Sequence, residues 1–175
     1  MSVYIETHRS RLRPIEASDW ELFQRLHSEP EIIELCFDRP SEKQIKEKFA
    51  SRLLPWTPDS PHWLCLVILD KQSEQPIGVT GLAIEEGNAE VGYLLLPEFH
   101  GRQFGTETLQ ALLNWARATH DIDRFSATVT EGNIASERVL MKCGLELSEV
   151  IPDAYQIGDK RYADKSTRYK NKDVF

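Results

Sequence analysis

The chain has 175 residues, 41% of them hydrophobic and 28% charged, and a net charge of −7. That suits one globular domain with its own core, residues 1–175, and the negative balance argues against a general nucleic-acid binder. No apolar run is long enough to cross a bilayer, so no membrane partner is expected. The N-terminal stretch "MSVYIETHRSRLRP" alternates polar and apolar residues and lacks the apolar core of a signal peptide. Cys36, Cys65 and Cys143 are odd in number and at no zinc or disulfide spacing. They read as reduced, buried thiols of a cytoplasmic protein with no metal.

In chain order, "RSRLRPI" alternates through Leu12 and Pro14 and predicts an edge strand. Ser18 and Glu21 have capping-box spacing for a short amphipathic helix to about Ser28. Ser41 and Gln44 open a second helix with Ile45, Phe49 and Leu53 on one face. Three prolines in "PWTPDSP" break the chain. "WLCLVIL" then reads as a strand buried on both faces, followed by "PIGVTGLAIEE" and "AEVGYLLLP" joined by a hairpin at Gly87–Asn88. Thr108, Leu109, Leu112, Leu113 and Ala116 recur at helical spacing, so a helix runs to about His120. "RFSATVT" is a strand, and "IASERVLMKCG" a helix ended by Gly144 in a left-handed cap. Two more strands flank a turn at Gly158–Asp159. The order predicts an α/β (α+β) fold, a mixed sheet with helices on its faces.

The stretch "PEFHGRQFGTETL", residues 97–109, is a loop with two glycines running into a helix. A helix start offers unpaired N–H groups and a partial positive charge, which suits pyrophosphate. Gly101 and Gly105 let the backbone turn and approach closely, and Arg102 is placed to add a phosphate contact. Taken alone, the pattern fits a plain turn as well.

A second motif, "NIASERVLMKCGL", carries Asn133, Ser136, Leu140, Lys142 and Gly144 in fixed order after a strand. Together the two segments resemble the GNAT superfamily of N-acetyltransferases, in particular its branch of ribosomal-protein alanine acetyltransferases (the RimJ/RimL type). The resemblance runs from about Arg9 to Arg168. It implies a three-layer fold around a central, mostly antiparallel sheet, acetyl-CoA as cosubstrate, and transfer to a primary amine of a protein N-terminus or small molecule. A homodimer is consistent with the family. The resemblance places CoA against the backbone of Leu94, Leu95 and Leu96, the loop residues His100, Gly101, Arg102, Gln103, Phe104, Gly105 and Thr106, and Asn133. Three positions depart from the pattern: His100 replaces Arg or Gln, Gln103 replaces a glycine, and Leu140 replaces a tyrosine that protonates the thiolate. At positive φ, Gln103 would cost roughly 1 kcal/mol or more.

Glu90, early in the strand leading to the loop, is the candidate general base acting through water; it equally suits a solvent-facing strand position. Ser136 is the candidate acid in place of the missing tyrosine, or a helix-start residue bonding locally. Asn133 binds CoA or caps its helix. Tyr155 and Asp153 fall where relatives bind the acceptor. Trp20, Trp56, Trp63 and His62 are each a core or a cleft residue. Two other functions stay open: a polyamine or antibiotic acetyltransferase, and a CoA-binding regulatory module without turnover.

Overall fold

The computed structural model describes residues 3–34, 36–130, 132–157 and 160–171, with side chains as far as Leu147. The predicted turn at Gly158–Asp159 lies outside the described residues. Eight strands form one sheet in the order β1-β2-β3-β4-β5-β6-β8-β7. They span Ile5–Glu6, Ser10–Pro14, Leu64–Asp70, Pro76–Glu85, Asn88–Leu95, Arg124–Ala127, Leu145–Ile157 and Lys160–Asn171. Neighbours are antiparallel except β5 and β6, which run parallel. Helices α1 (Trp20–Leu26), α2 (Pro30–Ile33), α3 (Glu42–Leu53), α4 (Phe104–His120) and α5 (Ile134–Lys142) pack on the two faces. The mixed α/β reading holds.

The apolar run of β3 is buried from Leu64 to Ile68, as continuous hydrophobicity predicts for a strand covered on both sides. Helix α4 links the parallel strands β5 and β6, a crossover that parallel pairing demands. Its stripe of Leu109, Leu112, Leu113 and Ala116 is fully buried. At 25 cal/mol per Å², each leucine there contributes about 1.5–3 kcal/mol to folding. The Ser41–Gln44 capping box forms: Gln44 N–H donates to Ser41 Oγ at 3.1 Å, and Ser41 N–H to Gln44 Oε1 at 2.8 Å. Gly144 has φ +91 after α5, the left-handed cap its position implied.

Four local expectations fail. β2 is not the edge, because the two-residue β1 pairs outside it; so short a strand leaves no alternation to read. Ser18 and Glu21 do not cap α1. A 3-10 turn at Ala17–Asp19 comes first, and the Asp19 carboxylate accepts from Glu16 N–H at 2.7 Å and from Arg13 at 2.8 and 3.0 Å. The hairpin turn is Glu86–Gly87, one residue early: both have positive φ, at 52 and 79, as the tight two-residue turn requires. Asn88 already belongs to β5, paired with Glu85. Leu53 is 38% exposed, so only Ile45 and Phe49 of its predicted stripe reach the core.

Candidate active site

The glycine loop turns twice through left-handed backbone. Gly101 has φ +70, and an added Cβ there would touch nothing within 4 Å, so the conformation alone calls for glycine. Gln103 has φ 67 and ψ 9 and is the N-cap of α4. The strained alternative foreseen for this residue is therefore the real one, at about 1–2 kcal/mol. Its side-chain oxygen accepts from Lys142 Nζ at 3.2 Å, tying the loop to the end of α5.

The first helical bond of α4 runs from Glu107 N–H to the Gln103 carbonyl at 3.0 Å. The N–H groups of Phe104, Gly105 and Thr106 precede it, so helix geometry leaves them without an intrahelical acceptor. Gly105 sits against the Tyr93 ring: a Cβ would lie 3.2 and 3.3 Å from two ring carbons. Phe104 is 2% exposed, with its ring against Phe99, so only its backbone can meet a ligand. Glu107, an acid at this positive helix end, is held by Thr7 Oγ1 at 2.6 Å and by Arg9 at 3.0 and 3.1 Å. Burial raises its pKa, but these hydrogen bonds together outweigh that and hold it below the usual value.

A groove of about 380 Å³ opens beside this helix start. His100, Gly101, Gln103, Phe104, Gly105, Thr106 and Asn133 line it, with Leu94 and Leu95 of β5. Two cations that the loop pattern did not single out, Arg138 and Lys142 of α5, stand on its wall. Arg102 does not. Its guanidinium lies 5.2 Å from the Phe99 ring and 5.4 Å from Phe104, because two aromatic faces offer it a better seat.

On β5, backbone direction alternates. Leu96 N–H is spent on the Ile77 carbonyl at 2.9 Å and leaves the set of free donors. By the parity of the antiparallel ladder, Leu94 also faces β4, whereas Tyr93 and Leu95 face the side of β6. The parallel pairing with β6 runs only from Asn88 to Glu90, so beyond Glu90 the two strands separate. The Leu95 carbonyl on that side accepts from His100 Nε2 at 2.8 Å.

A second cavity of about 320 Å³ adjoins the groove along β5. Its walls include His27 at the end of α1, Lys48 and Arg52 of α3, Trp63, Glu90 and Leu140. Cys36, Tyr93, Leu94, Asn133 and Ser136 line both spaces, so the two meet there. At this junction Tyr93 Oη and Ser136 Oγ are 3.3 Å apart. Ser136 therefore bonds across to β5 rather than locally. Burial raises the Tyr93 phenol, with the Ser136 hydrogen bond pulling the other way, so the phenol keeps its proton at neutral pH. Asn133 caps α5 by accepting from Ser136 N–H at 3.3 Å. Burial pushes the Cys36 thiol up to about 11, leaving it protonated.

Glu90 is exposed and lines the second cavity; Thr128 Oγ1 donates to it at 3.4 Å. Trp63 lines the same cavity, while Trp20 packs on Phe49 and Trp56 on Trp115. His62 lines neither space, and its Nε2 is buried without a partner among the described residues. Asp153 and Tyr155 lie on β7, beyond the described side chains. Tyr93 is the functional candidate that sequence reasoning missed. Its signal was a tyrosine placed among apolar residues, one step after a glycine, on the strand feeding the loop.

No helix among the described residues is long and apolar enough to cross a membrane. Residues 9–146 match the family model of the acetyltransferase (GNAT) domain. YoaA of Bacillus subtilis, described as an uncharacterized N-acetyltransferase, is 31% identical over 75 residues, which is 43% of this chain and 42% of that protein. The chain thus aligns with under half of YoaA. It aligns with 84% of p20 of Bacillus licheniformis, also an uncharacterized N-acetyltransferase, at 23% identity over 84% of this chain. Among solved structures, apo RimL, a ribosomal L7/L12 alpha-N-protein acetyltransferase, superposes with a TM-score of 0.81 at 20% identity, over 98% of this chain and 94% of that one. A Vibrio cholerae spermidine N-acetyltransferase in complex with CoA and spermine gives 0.76 at 17%, over 93% of each chain. These likenesses show a common fold, and the family match covers most of the chain. The protein belongs to the GNAT family of acetyltransferases, which move an acetyl group from acetyl-CoA to an amine.

Proposed function

We propose that the groove beside α4 binds acetyl-CoA, that the second cavity binds the acceptor amine, and that acetyl transfer takes place directly where they meet. The observation that carries this reading is the shared wall of Tyr93, Leu94, Asn133 and Ser136 between the two spaces. The residues fit an anionic cosubstrate: three helix-start N–H groups lack intrahelical acceptors, and Arg138 and Lys142 flank them. When bound, acetyl-CoA supplies the thioester carbonyl and the thiol leaving group.

In this reading Phe104, Gly105 and Thr106 hold the pyrophosphate through their N–H groups. His100, Gly101 and Gln103 shape the loop, and the β5 edge at Tyr93 and Leu95 pairs with amide groups in a strand-like way. Leu95 N–H is the donor aimed at developing negative charge on the carbonyl oxygen. Glu90, open to solvent in the acceptor cavity, takes the amine proton through water. An α-amino group, with a pKa of about 8, needs less such help than a lysine at about 10.4. Ser136 gives a proton to the departing sulfur and takes one in turn from the Tyr93 phenol 3.3 Å away, which regains its proton from solvent. Tyr93, supplied by a strand, thus stands in for the tyrosine that Leu140 replaces. Cys36 is no nucleophile, since its raised pKa keeps it a thiol; this supports direct transfer without an acetyl-enzyme. Free, buried Cys65 and Cys143 support a reducing, cytoplasmic setting.

The test is thiol release from acetyl-CoA across a panel of primary amines and peptide N-termini, with Tyr93→Phe beside the natural protein. Turnover with at least one amine, lowered about 10-fold or more in kcat by the phenylalanine, is expected. Acetyl-CoA binding without turnover on any amine would leave a binding module instead.

A further inference from the structure

Helix α3 carries four basic residues, and they fall into two groups. Lys43 and Lys46 each reach a carboxylate one turn away, Glu47 at 3.9 Å and Glu42 at 3.5 Å. Lys48 and Arg52 reach none among the described residues. They stand one turn apart, so each has a like charge at the spacing where the other lysines have an opposite one. What they have instead are aromatic rings: Lys48 Nζ lies 5.3 Å from the Phe37 centroid, and Arg52 Cζ 5.6 Å from Trp63. Both side chains line the acceptor cavity.

Among the described residues, neither cation is neutralised inside the cavity, and the two stand beside each other as like charges. Loss of water lowers both pKa values, and for Lys48 the like charge of Arg52 adds to it. Arg52 is half-buried and Lys48 exposed, and among the described residues each has an aromatic ring rather than a carboxylate beside it. Across the same cavity stands the carboxylate of Glu90, joined to neither cation by an ion pair. The cavity is therefore polarised, with two positive charges on the α3 wall and a negative one on β5. Its sign on the α3 side is opposite to the net charge of −7.

We infer that the acceptor is a small molecule carrying both a primary amine and an anionic group, a carboxylate or a phosphate, the anion seated against Lys48 and Arg52 and the amine directed to Glu90 and the Tyr93–Ser136 junction. The inference rests on the acetyltransferase reading for its chemistry. The volume of about 320 Å³ suits a small acceptor rather than a folded domain. Polycations are disfavoured, because a second ammonium would approach Lys48 and Arg52 with no acid between them.

Matched acceptors test it: propylamine against β-alanine, ethanolamine against its phosphate ester, and spermidine as the polycation. Thiol release gives kcat/KM for each. The expected result is a preference of at least 10-fold for the anionic member of one pair, expressed mainly in KM and weakened by added salt. Which pair shows it distinguishes carboxylate from phosphate. In Lys48→Gln/Arg52→Gln the ratio of anionic to neutral acceptor should fall toward one, while Lys48→Arg/Arg52→Lys keeps it. Preference for spermidine or the neutral amines, or an unchanged ratio in the double glutamine variant, overturns the inference.

Failure of the parent reading shows itself differently, as no thiol release with any acceptor. Thermal melts in the presence of CoA then still decide the pocket. The anionic amines should raise the melting temperature of the natural protein and not that of the double glutamine variant. Equal shifts in both, or none in either, overturn the inference.

Discussion

The two spaces that meet at Tyr93 and Ser136 are built on different plans. The groove beside α4 works through backbone: helix-start N–H groups and a loop with left-handed residues at Gly101 and Gln103. The second cavity works through side chains, with Lys48 and Arg52 from α3, His27 from the end of α1, Glu90 from β5 and Trp63 from the segment before β3. A backbone site survives changes of residue as long as the chain keeps its path. That is why Gln103 can replace a glycine and why Arg102 can turn away onto Phe99 and Phe104 without emptying the groove of donors. A side-chain site has no such tolerance, and in the proposed function it is there that acceptor choice would be made.

Gly105→Val puts the sharpest strain on this contrast. Its added carbons would press on Tyr93, where a Cβ already comes within 3.2 Å, and shift the junction shared by both spaces. A fall of about 100-fold in kcat/KM for acetyl-CoA is expected from steady-state kinetics, with the fold checked by circular dichroism. A normal value would mean that the close approach at Gly105 is packing alone.

His27 offers a test on the side-chain side. It is 5% exposed, stacked on Phe23 at 4.1 Å, and its Nδ1–H donates to the Phe23 carbonyl at 2.8 Å. Burial lowers its pKa to about 4, so the folded protein holds it neutral where the unfolded chain would protonate it. The contribution to stability is complete above about pH 6.5 and is lost as pH falls toward 4, amounting to about 3 kcal/mol. Denaturant titrations at pH 7, 6, 5 and 4 should show that slope, and His27→Leu should flatten it relative to the natural protein.

The smallest effect is expected at Gln103. Gln103→Gly relieves the left-handed strain and loses the Lys142 hydrogen bond, for a net gain of about 1 kcal/mol or less and a melting temperature up by about 2–4 °C. Acetyl-CoA affinity by calorimetry should change less than 3-fold if the backbone is what holds the ligand, an order-of-magnitude bound. A 10-fold change would show that the glutamine side chain belongs to the site.

The same contrast explains what the sequence disclosed. The helix from Phe104 to His120 and the buried strand from Leu64 were legible because long periodic or continuous apolar runs admit one reading. Loop glycines and a following helix declared the groove because backbone sites repeat as spacing. The details that escaped were local or distant. β1 and α2 are too short to carry a period, and Asp19 displaced the Ser18 box because Arg13 on β2 could reach it. Tyr93 gained its meaning only from Ser136, 43 residues on, and Lys48 and Arg52 only from the cavity they face. No spacing along the chain records such meetings.

The most direct measurement pairs binding with turnover for one variant, Ser136→Ala. Acetyl-CoA should bind the natural protein and the variant alike by calorimetry, because the helix-start N–H groups are untouched. Thiol release at saturating acetyl-CoA and acceptor should fall about 100-fold in kcat, the low end expected for loss of a general acid. Equal turnover by the two proteins, or no binding of acetyl-CoA by the natural protein, would contradict the account of transfer at the junction of the two spaces.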